Sequence, residues 1–149
     1  MASTVVTQNN TEAFRYSGIL YSNNADETLL QDAGRSGDIA CFTVLARIAA
    51  TGKSATLADD TAVDGTAIPC GIYVGEAIAE ADIQAGDVTG LSLYTGGCCV
   101  VDENQIVLEN SYTLATAIAA ATADVFTTTI GQELNKLGFF FNNAISISG

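Results

Sequence analysis

The alternation of apolar and polar residues is clearest from Ala40 onward, in the segment ACFTVLARIAAT. Every second residue is apolar, and these residues lie on one face of a strand, whereas Thr43 and Arg47 lie on the other face. A period of two residues is that of a β-strand with one buried face. The segment therefore predicts a strand whose core face carries Phe42, Val44, Ala46 and Ile48.

Two later segments repeat this alternation. TAIPCGIYVGEAI brings four residues to one face, and its proline, Pro69, indicates a strand start or a sheet edge. VTGLSLYTGGCCVV presents Leu91 and Leu93 and then a turn or bulge at Gly96 and Gly97. The predicted face of the first segment consists of Ile68, Cys70, Ile72 and Val74.

Shorter stretches complete this half of the chain. FRYSGILYS, residues 14–22, predicts a first strand because aromatic residues favour the β conformation. Residues 23–38 are rich in Asn, Asp, Gly and Ser, so we expect mostly loop there, with a short turn or strand at residues 28–30. Residues 106–108 form one more apolar run. We therefore expect about five or six strands before residue 110.

The apolar period then lengthens to that of a helix. In NSYTLATAIAAATADV, Asn110 or Ser111 can cap a helix and the alanines favour one. The apolar residues at helical spacing are Leu114, Ala117, Ile118, Ala121 and Val125. This pattern predicts a first helix.

The segment TTTIGQELNKLG predicts a second, shorter helix. It offers a Thr cap, Lys136 in the last turn and Gly138 at the end. Its apolar face carries Ile130, Leu134 and Leu137. The tail FFFNNAISIS then indicates an Asn-Asn turn and a strand presenting Ile145 and Ile147.

These elements predict an α+β domain, residues 14–149, in which short strands form a β-rich part and two helices from the C-terminal half pack against it. Residues 1–13, MASTVVTQNNTEA, are polar apart from a β-prone cluster at residues 4–7. We interpret them as a mobile N-terminal arm. The length of 149 residues fits one domain.

The charge balance restricts the partners. The chain has 17 acidic and 5 basic residues and a net charge of -12. Binding to nucleic acid or to an anionic membrane depends on Lys and Arg, so neither is an expected partner. No signal peptide or membrane-spanning run is recognisable, and we expect a soluble protein made in the cytosol.

The candidate chemistry is sparse. Histidine is absent, which excludes the usual Ser/His/Asp and Cys/His catalytic units and His-ligated metal sites. Four cysteines stand at positions 41, 70, 98 and 99 without a C-x-x-C spacing, and we interpret them as reduced residues in or near the core. We predict no catalytic residue, no cofactor and no metal site.

The tripeptide Gly52-Lys53-Ser54 matches part of a phosphate-binding loop. Such a loop needs a glycine five residues before Gly52, where this chain has Arg47, and a helix after it. The following residues, ATLADDTAVDGTA, have no helical period. We therefore predict a hairpin turn, with Lys53 solvated and Ser54 starting the return strand.

Carboxylates and cysteines offer the remaining candidate sites. The stretch DDTAVDG suggests calcium, but counting from Asp60 an EF-hand loop would place Ala62 at its third position and Gly71 at its twelfth. Asp102 and Glu103 could act as a hydrolase pair. The remaining enzyme alternative is a nucleophile at Cys98 or Cys99, yet no Lys or Arg lies within ten residues of the GGCC stretch to lower a thiol pKa.

The order of segments carries a resemblance. CFTVLARIAATGKSATLADD, VDGTAIPCGIYVGEAI, AGDVTGLSLYTGG, TIGQELNKLGFFF and NAISI follow one another over about 110 residues. Together they resemble the head decoration protein family of tailed bacteriophages, the lambda decoration protein D type. The chain departs from that pattern in its FRYSGILYS to GRSG segment, in its Ala-rich stretch and in having a single proline.

The resemblance implies a non-enzymatic virion protein. It would form a homotrimer on the outer capsid surface, bind the major capsid protein and stabilise the expanded head against packaged DNA. The N-terminal arm would add a strand to the capsid protein, and the arm residues are Ala2, Ser3, Thr4, Val5, Val6, Thr7 and Gln8. The alternative is a tail, fibre or surface-attachment module, and a small hydrolase is the more distant one.

Overall fold

A computed structural model describes residues 14–16, 23–58, 62–96, 99–118 and 128–142. Within these ranges the elements follow one another as β1 (Phe14–Tyr16), β2 (Asn23–Leu29), β3 (Val44–Arg47), β4 (Ser54–Thr56), β5 (Pro69–Tyr73), α1 (Glu80–Ala85), β6 (Val88–Tyr94), β7 (Cys99–Asp102), a 3-10 turn (Glu109–Ser111), β8 (Ala117–Ile118), β9 (Thr128–Thr129), α2 (Ile130–Leu137) and β10 (Phe139–Asn142). The chain is a strand-rich α+β protein, as the sequence predicts. The structure describes two helices, of which α2 lies in a predicted helical segment and α1 does not.

Five strands close into a small barrel in the order β2, β4, β3, β5, β6. The β2–β4 pair is parallel and the others are antiparallel, and β2 pairs with β6 to close the ring. One cluster of buried side chains comes from the barrel strands β2, β3, β5 and β6 and from adjoining segments. Its members are Leu29, Ile39, Leu45, Tyr73, Ile78, Ile83, Leu91 and Leu93. Ile83 is the residue through which α1 joins this cluster.

A second core lies on the outer face of β3 and β5. There, Val44, Ala46 and Ile72 pack with residues of α2, β7, β8 and β10: Ile130, Leu134, Val101, Ile118 and Phe139. Both faces of β3 are therefore buried, and Val44, Leu45 and Ala46 each have 0% exposure. Burial on two sides explains why the strand reads VLA rather than strictly alternating apolar and polar residues.

The three-stranded sheet beside this core has the order β1, β7, β10. β7 is central, antiparallel to β1 and parallel to β10. β8 and β9 form a separate antiparallel pair. Within the described ranges, β1 and β10 are thus the edge strands of this sheet.

The predicted common face of the 68–74 segment is wrong. Leu45 lies opposite Gly71, and the next residue, Ala46, lies opposite Pro69, so Cys70 is the extra residue of a bulge. Cys70 packs against the barrel interior, whereas Ile72 and Val74 belong to the outer core and Ile68 is exposed. Pro69 does start the strand, as predicted.

The predicted loop at residues 23–38 is wrong in its first part, because residues 23–29 form β2. Their sequence, NNADETL, is polar and does not predict a strand, but these residues pair with β6, and the pairing contains two register shifts. Glu27 is buried in this strand and forms an ion pair with Arg47. A local pattern cannot show that distant pairing.

The first predicted helix is wrong where the structure describes it. Asn110 and Ser111 have positive φ angles of 57° and 59°, and Ala117 and Ile118 form β8. The carbonyl groups of Leu114 and Thr116 accept hydrogen bonds from the N-H groups of Gly131 and Ile130, at 2.8 and 3.0 Å. These tertiary bonds replace the helical ones, and residues 119–127 lie outside the described part.

The second predicted helix is confirmed as α2. The Thr129 hydroxyl accepts a hydrogen bond from the Gln132 N-H at 3.2 Å, and the Gln132 side chain accepts one from the Thr129 N-H at 2.9 Å. Gly138 ends the helix in the left-handed conformation, with φ 103°. The arm at residues 1–13, residues 17–22 of the predicted first strand and the predicted tail turn and strand beyond Asn142 lie outside the described residues.

Candidate functional site

The Gly52-Lys53-Ser54 tripeptide forms the hairpin turn between β3 and β4. Gly52 has φ 73°, and its N-H donates to the Ile48 carbonyl at 2.8 Å. The Lys53 side chain is 36% exposed, as expected for a solvated lysine, and its Nζ also lies 2.5 Å from Asp87 Oδ2. The hydrogen bond from Lys53 lowers the pKa of Asp87. The backbone here closes a turn and its lysine is already paired.

Ser54 leads from this turn to a buried ionic cluster. Its hydroxyl donates to Glu27 Oε2 at 3.1 Å, and Glu27 also accepts two bonds from Arg47, at 2.6 and 3.1 Å. Arg47 donates further to the Gly52 carbonyl at 2.8 Å, and its bond to Glu27 raises the pKa of the guanidinium. The cluster joins β2, β3 and β4 and provides no group poised for proton transfer.

The two cysteine thiols that the structure describes are poor nucleophiles. Cys41 and Cys70 are free thiols. Burial raises the pKa of Cys70 from 9.0 to about 11, although nearby Arg47 acts in the opposite direction. Burial also raises the pKa of Cys41. Cys98 and the side chain of Cys99, the other candidate nucleophiles, lie outside the described part.

The two carboxylates of the candidate pair, Asp102 and Glu103, lie in different environments. Asp102 is buried and accepts hydrogen bonds from the Asn104 N-H at 3.0 Å, the Asn104 side chain at 3.1 Å and Gln105 at 3.4 Å. Glu103 is exposed. Asp102 therefore holds the turn after β7, which is the ordinary use of an Asp at a turn.

The Asp-rich loop before β5 is described only from Ala62, so Asp59 and Asp60 lie outside the described residues. Asp64 accepts hydrogen bonds from the Thr66 hydroxyl at 2.6 Å and the Thr66 N-H at 3.0 Å, and these bonds lower the pKa of Asp64. In the part of the chain that the structure describes, no three His, Cys, Asp or Glu side chains lie close enough together to hold a metal ion.

Sequence reasoning missed a cavity of about 260 Å³ at one end of the barrel. Its wall includes the buried side chains Leu29, Ile39 and Ile83, and charged residues of its lining are Asp32, Arg35 and Asp64. Arg35 Nη2 lies 2.7 Å from Glu109 and also donates to the Asp38 carbonyl. The Arg35 guanidinium thus links its own loop to the 3-10 turn that begins at Glu109. The GRSG stretch around Arg35 is the local signal that points to this loop.

A shallower groove lies near the 3-10 turn. It has a volume of about 550 Å³ and is lined by Glu103, Asn104, Ile106, Leu108 and residues 112–115. The Tyr112 hydroxyl donates to the Ala58 carbonyl at 2.8 Å, which fixes one wall of the groove. Neither concavity has a nucleophile beside a base among its described lining residues.

The ion pairs determine the charge that remains for a partner. Each of the four Lys and Arg side chains that the structure describes pairs with a carboxylate: Arg35 with Glu109, Arg47 with Glu27, Lys53 with Asp87 and Lys136 with Glu133. The exposed acids include Asp32, Glu76, Asp82 and Glu103. The described surface is therefore acidic, and its cations are engaged within the chain.

The open edges of the three-stranded sheet are the remaining candidate for binding. β1 begins at Phe14, shortly after the predicted arm residues Ala2 to Gln8, which lie outside the described part. At the opposite edge, Phe140 of β10 is 49% exposed.

No helix in the described ranges is long and apolar enough to span a membrane. Comparisons with family models, with curated proteins and with solved structures found no match.

Proposed function

We propose that the chain is a capsid decoration protein, related to the lambda head decoration type, that binds the outer surface of the expanded phage head as a homotrimer. In this function it stabilises the shell against the pressure of packaged DNA and performs no catalysis. Its partner is the major capsid protein. It is made in the host cytoplasm and ends in the virion.

The observation that supports the proposal is that the segments on which the resemblance rests lie next to one another in the fold. VLAR and the following TGK turn form β3 and its hairpin, the CGIY stretch lies in β5, and GLSLY lies in β6. All three strands belong to one barrel, and IGQELNKL forms the helix α2 that contacts β5. The ordered segments thus build one connected unit.

The charge distribution supports the same function. A protein that coats a DNA-filled particle from outside needs no cationic surface, and the four described basic side chains are all paired within the chain. Nucleic-acid binding depends on Lys and Arg contacts to phosphates. The acidic surface therefore favours a protein partner over nucleic acid.

The arm supplies the predicted contact with the capsid. Val5 and Val6 are its apolar β-branched residues, and among the described strands β1, with which the domain begins, is an edge strand. Ordering the arm costs about 1 to 2 kcal/mol per residue in backbone entropy, so one arm adds little net affinity. Three arms on one trimer act together through effective concentration.

Binding to expanded and to unexpanded heads tests the proposal. We expect the protein to sediment with expanded heads of its own phage and not with unexpanded ones, and light scattering to give the mass of a trimer. A chain lacking residues 2–12, and the double variant Val5→Asp and Val6→Asp, should lose binding. The double variant Asn9→Asp and Asn10→Asp adds the same charge outside the β-branched pair and should retain binding.

The outcomes that oppose the proposal are distinct. Equal sedimentation with both head forms would remove the role on the expanded head, and undiminished binding without residues 2–12 would remove the arm. Binding to tails rather than heads would favour the attachment-module alternative. A monomeric mass would contradict the trimer.

A further inference from the structure

The cavity at one end of the barrel combines an aliphatic wall with charged groups of both signs. Leu29, Ile39 and Ile83 of its described lining have at most 1% exposure, and Ile48 adds a further aliphatic side chain. A cavity of about 150 Å³ can hold benzene, so a volume of about 260 Å³ has room for a ligand of roughly ten non-hydrogen atoms. The wall is suited to a branched aliphatic group of that size.

Arg35 is the cation of this lining, and its side chain is only 9% exposed. Its Nε donates to the Gly37 carbonyl at 2.8 Å. Its Nη2 donates to the Asp38 carbonyl at 3.1 Å and to Glu109 at 2.7 Å. Its Nη1 donates to no residue that the structure describes. Buried donors without an acceptor are uncommon, and a carboxylate is the acceptor that a guanidinium binds most strongly.

Asp32 and Asp64 supply the opposite charge in the same lining. Asp32 Oδ1 accepts from the Gly34 N-H at 3.0 Å. Asp64 Oδ1 accepts from the N-H and the hydroxyl of Thr66. The Oδ2 atoms of both acids accept no bond from a described residue, and neither acid forms an ion pair with Arg35. These oxygens are available to an ammonium group.

We propose that this cavity binds a free amino acid with an aliphatic side chain, of the size of leucine. The carboxylate of the ligand accepts from Arg35 Nη1, and its ammonium group donates to the carboxylates of Asp32 and Asp64. Its side chain packs on the aliphatic wall. The inference does not rest on the proposed function, because it concerns the barrel end and not the N-terminal arm.

The charges favour a zwitterion over a ligand with a single charge. A carboxylic acid without an amine would meet Asp32 and Asp64 as like charges, and an amine without a carboxylate would leave the Arg35 Nη1 donors without an acceptor. The zwitterion supplies a partner to each group and adds no net charge.

The charged groups are held in place before a ligand arrives. Arg35 is fixed by its bonds to Gly37, Asp38 and Glu109, and its own carbonyl accepts from the Gln84 side chain at 2.7 Å. Asp32 and Asp64 are each held through Oδ1. Groups that are already positioned lose little conformational entropy on binding, which favours affinity for a small ligand.

Titration of the isotope-labelled wild-type protein with leucine, followed by NMR at about pH 7, tests the proposal. We expect saturable shifts of the amide signals around Asp32, Arg35 and Thr66 and none in α2. Two analogues of the same shape separate the charges: 4-methylpentanoate lacks the ammonium group, and 3-methylbutylamine lacks the carboxylate. Each analogue should bind at least about tenfold more weakly than leucine, because each loses a charge-assisted hydrogen bond.

Substitutions in the lining test the position of the ligand. Ala55→Leu fills the cavity and should abolish leucine binding, whereas Ala85→Leu, the same change at the exposed end of α1, should not affect it. Asp64→Asn keeps an oxygen for Thr66 but loses the charge, and should weaken leucine binding about threefold. Asp82→Asn, at an exposed acid outside the described lining, should leave the affinity unchanged.

Arg35→Lys tests the contact with the carboxylate. Lysine keeps a positive charge near Glu109 but has no Nη1, so the affinity for leucine should fall to that for 3-methylbutylamine, while the affinity for the amine stays unchanged.

Three results would overturn the proposal: no saturable shift with leucine, equal affinities for leucine and both analogues, or unchanged leucine binding in Ala55→Leu. The ligand series uses the wild-type chain, so its result stands even where a variant unfolds. Far-UV circular dichroism of each variant separates loss of binding from loss of the fold.

Discussion

Arg47 and Glu27 form a two-point ion pair between two strands of the barrel. Arg47 Nη2 lies 2.6 Å from Glu27 Oε1, and Arg47 Nη1 lies 3.1 Å from Oε2. The Glu27 side chain is only 4% exposed, whereas that of Arg47 is 36% exposed. Arg47 therefore compensates a carboxylate that has little access to water, and the pair allows the polar strand β2 to close the barrel.

Removing the cation from this pair should destabilise the fold. Arg47→Met keeps the aliphatic length but leaves a buried carboxylate without its ion-pair partner, and such losses are about 3 kcal/mol. We expect a lower free energy of unfolding in urea. Lys136→Met breaks the pair with Glu133, in which the lysine side chain is 61% exposed, and should change the free energy by less than about 1 kcal/mol. Equal losses in both variants would show that the buried pair has no special role.

Gly71 should not accept a side chain. A Cβ there would lie 2.6 Å from the Tyr94 carbonyl oxygen and 3.0 Å from Leu93 Cγ, so neighbouring backbone would have to move. We expect Gly71→Ala to lower the free energy of unfolding by about 2 kcal/mol, measured by urea denaturation.

Gly86 provides the matched control for Gly71. A Cβ at Gly86 would meet no described heavy atom within 4 Å beyond its chain neighbours, and the residue has an extended φ of 174°. Gly86→Ala should therefore be neutral or slightly stabilising, because alanine reduces the entropy of the unfolded chain. Equal free energies of unfolding for Gly71→Ala and Gly86→Ala would contradict the tight packing of β5 against β6.

The N-cap of α2 should contribute measurably to stability. Thr129→Ala removes the hydroxyl that accepts from the Gln132 N-H, and loss of a Thr cap costs about 1 kcal/mol. We expect a lower thermal midpoint for this variant by calorimetry. Ser36→Ala, in an exposed loop, should leave the midpoint nearly unchanged. Matching midpoints for the two variants would contradict the capping role.

Cys70 should make stability depend on pH in alkaline solution. Burial raises its pKa from 9.0 in the unfolded chain to about 11 in the folded protein. The protonated thiol is favoured by folding, so its contribution is complete below about pH 9 and is lost as the pH rises toward 11.

Comparison with Cys70→Ser isolates this effect. The difference in free energy of unfolding between wild type and the variant should be constant from pH 7 to about 8.5 and should shrink above about pH 9, because serine does not titrate there. Tyr73, whose pKa is raised by burial, is present in both proteins and its effect cancels in the difference. A pH-independent difference through about pH 10.5 would contradict the buried thiol.

Local pattern was sufficient for several elements. The alternation around Val44 predicted β3, Pro69 predicted the start of β5, and the Thr129 and Gly138 caps predicted α2. Gly52 similarly predicted a turn rather than a phosphate site. In each case the deciding interactions lie within a few residues, so the sequence pattern contains them.

The candidate site was less accessible from sequence. The cavity near Arg35 is built from loops and strands that are far apart along the chain, and the GRSG stretch marks only the loop that carries Arg35. The arm residues, by contrast, are inferred from sequence alone and lie outside the described part, so their role stays a prediction. The same holds for the trimer and the capsid partner.

The sequence by itself determined the β-rich α+β class, the acidic charge, the hairpin at Gly52 and the capped helix α2. Only the tertiary structure decided that residues 23–29 join the barrel and that Ala117 and Ile118 form a strand. The physical reason is distance along the chain: Glu27 is stabilised by Arg47, 20 residues away, and Leu114 accepts its hydrogen bond from Gly131. Burial and pairing across such separations outweigh local preference for loop or helix.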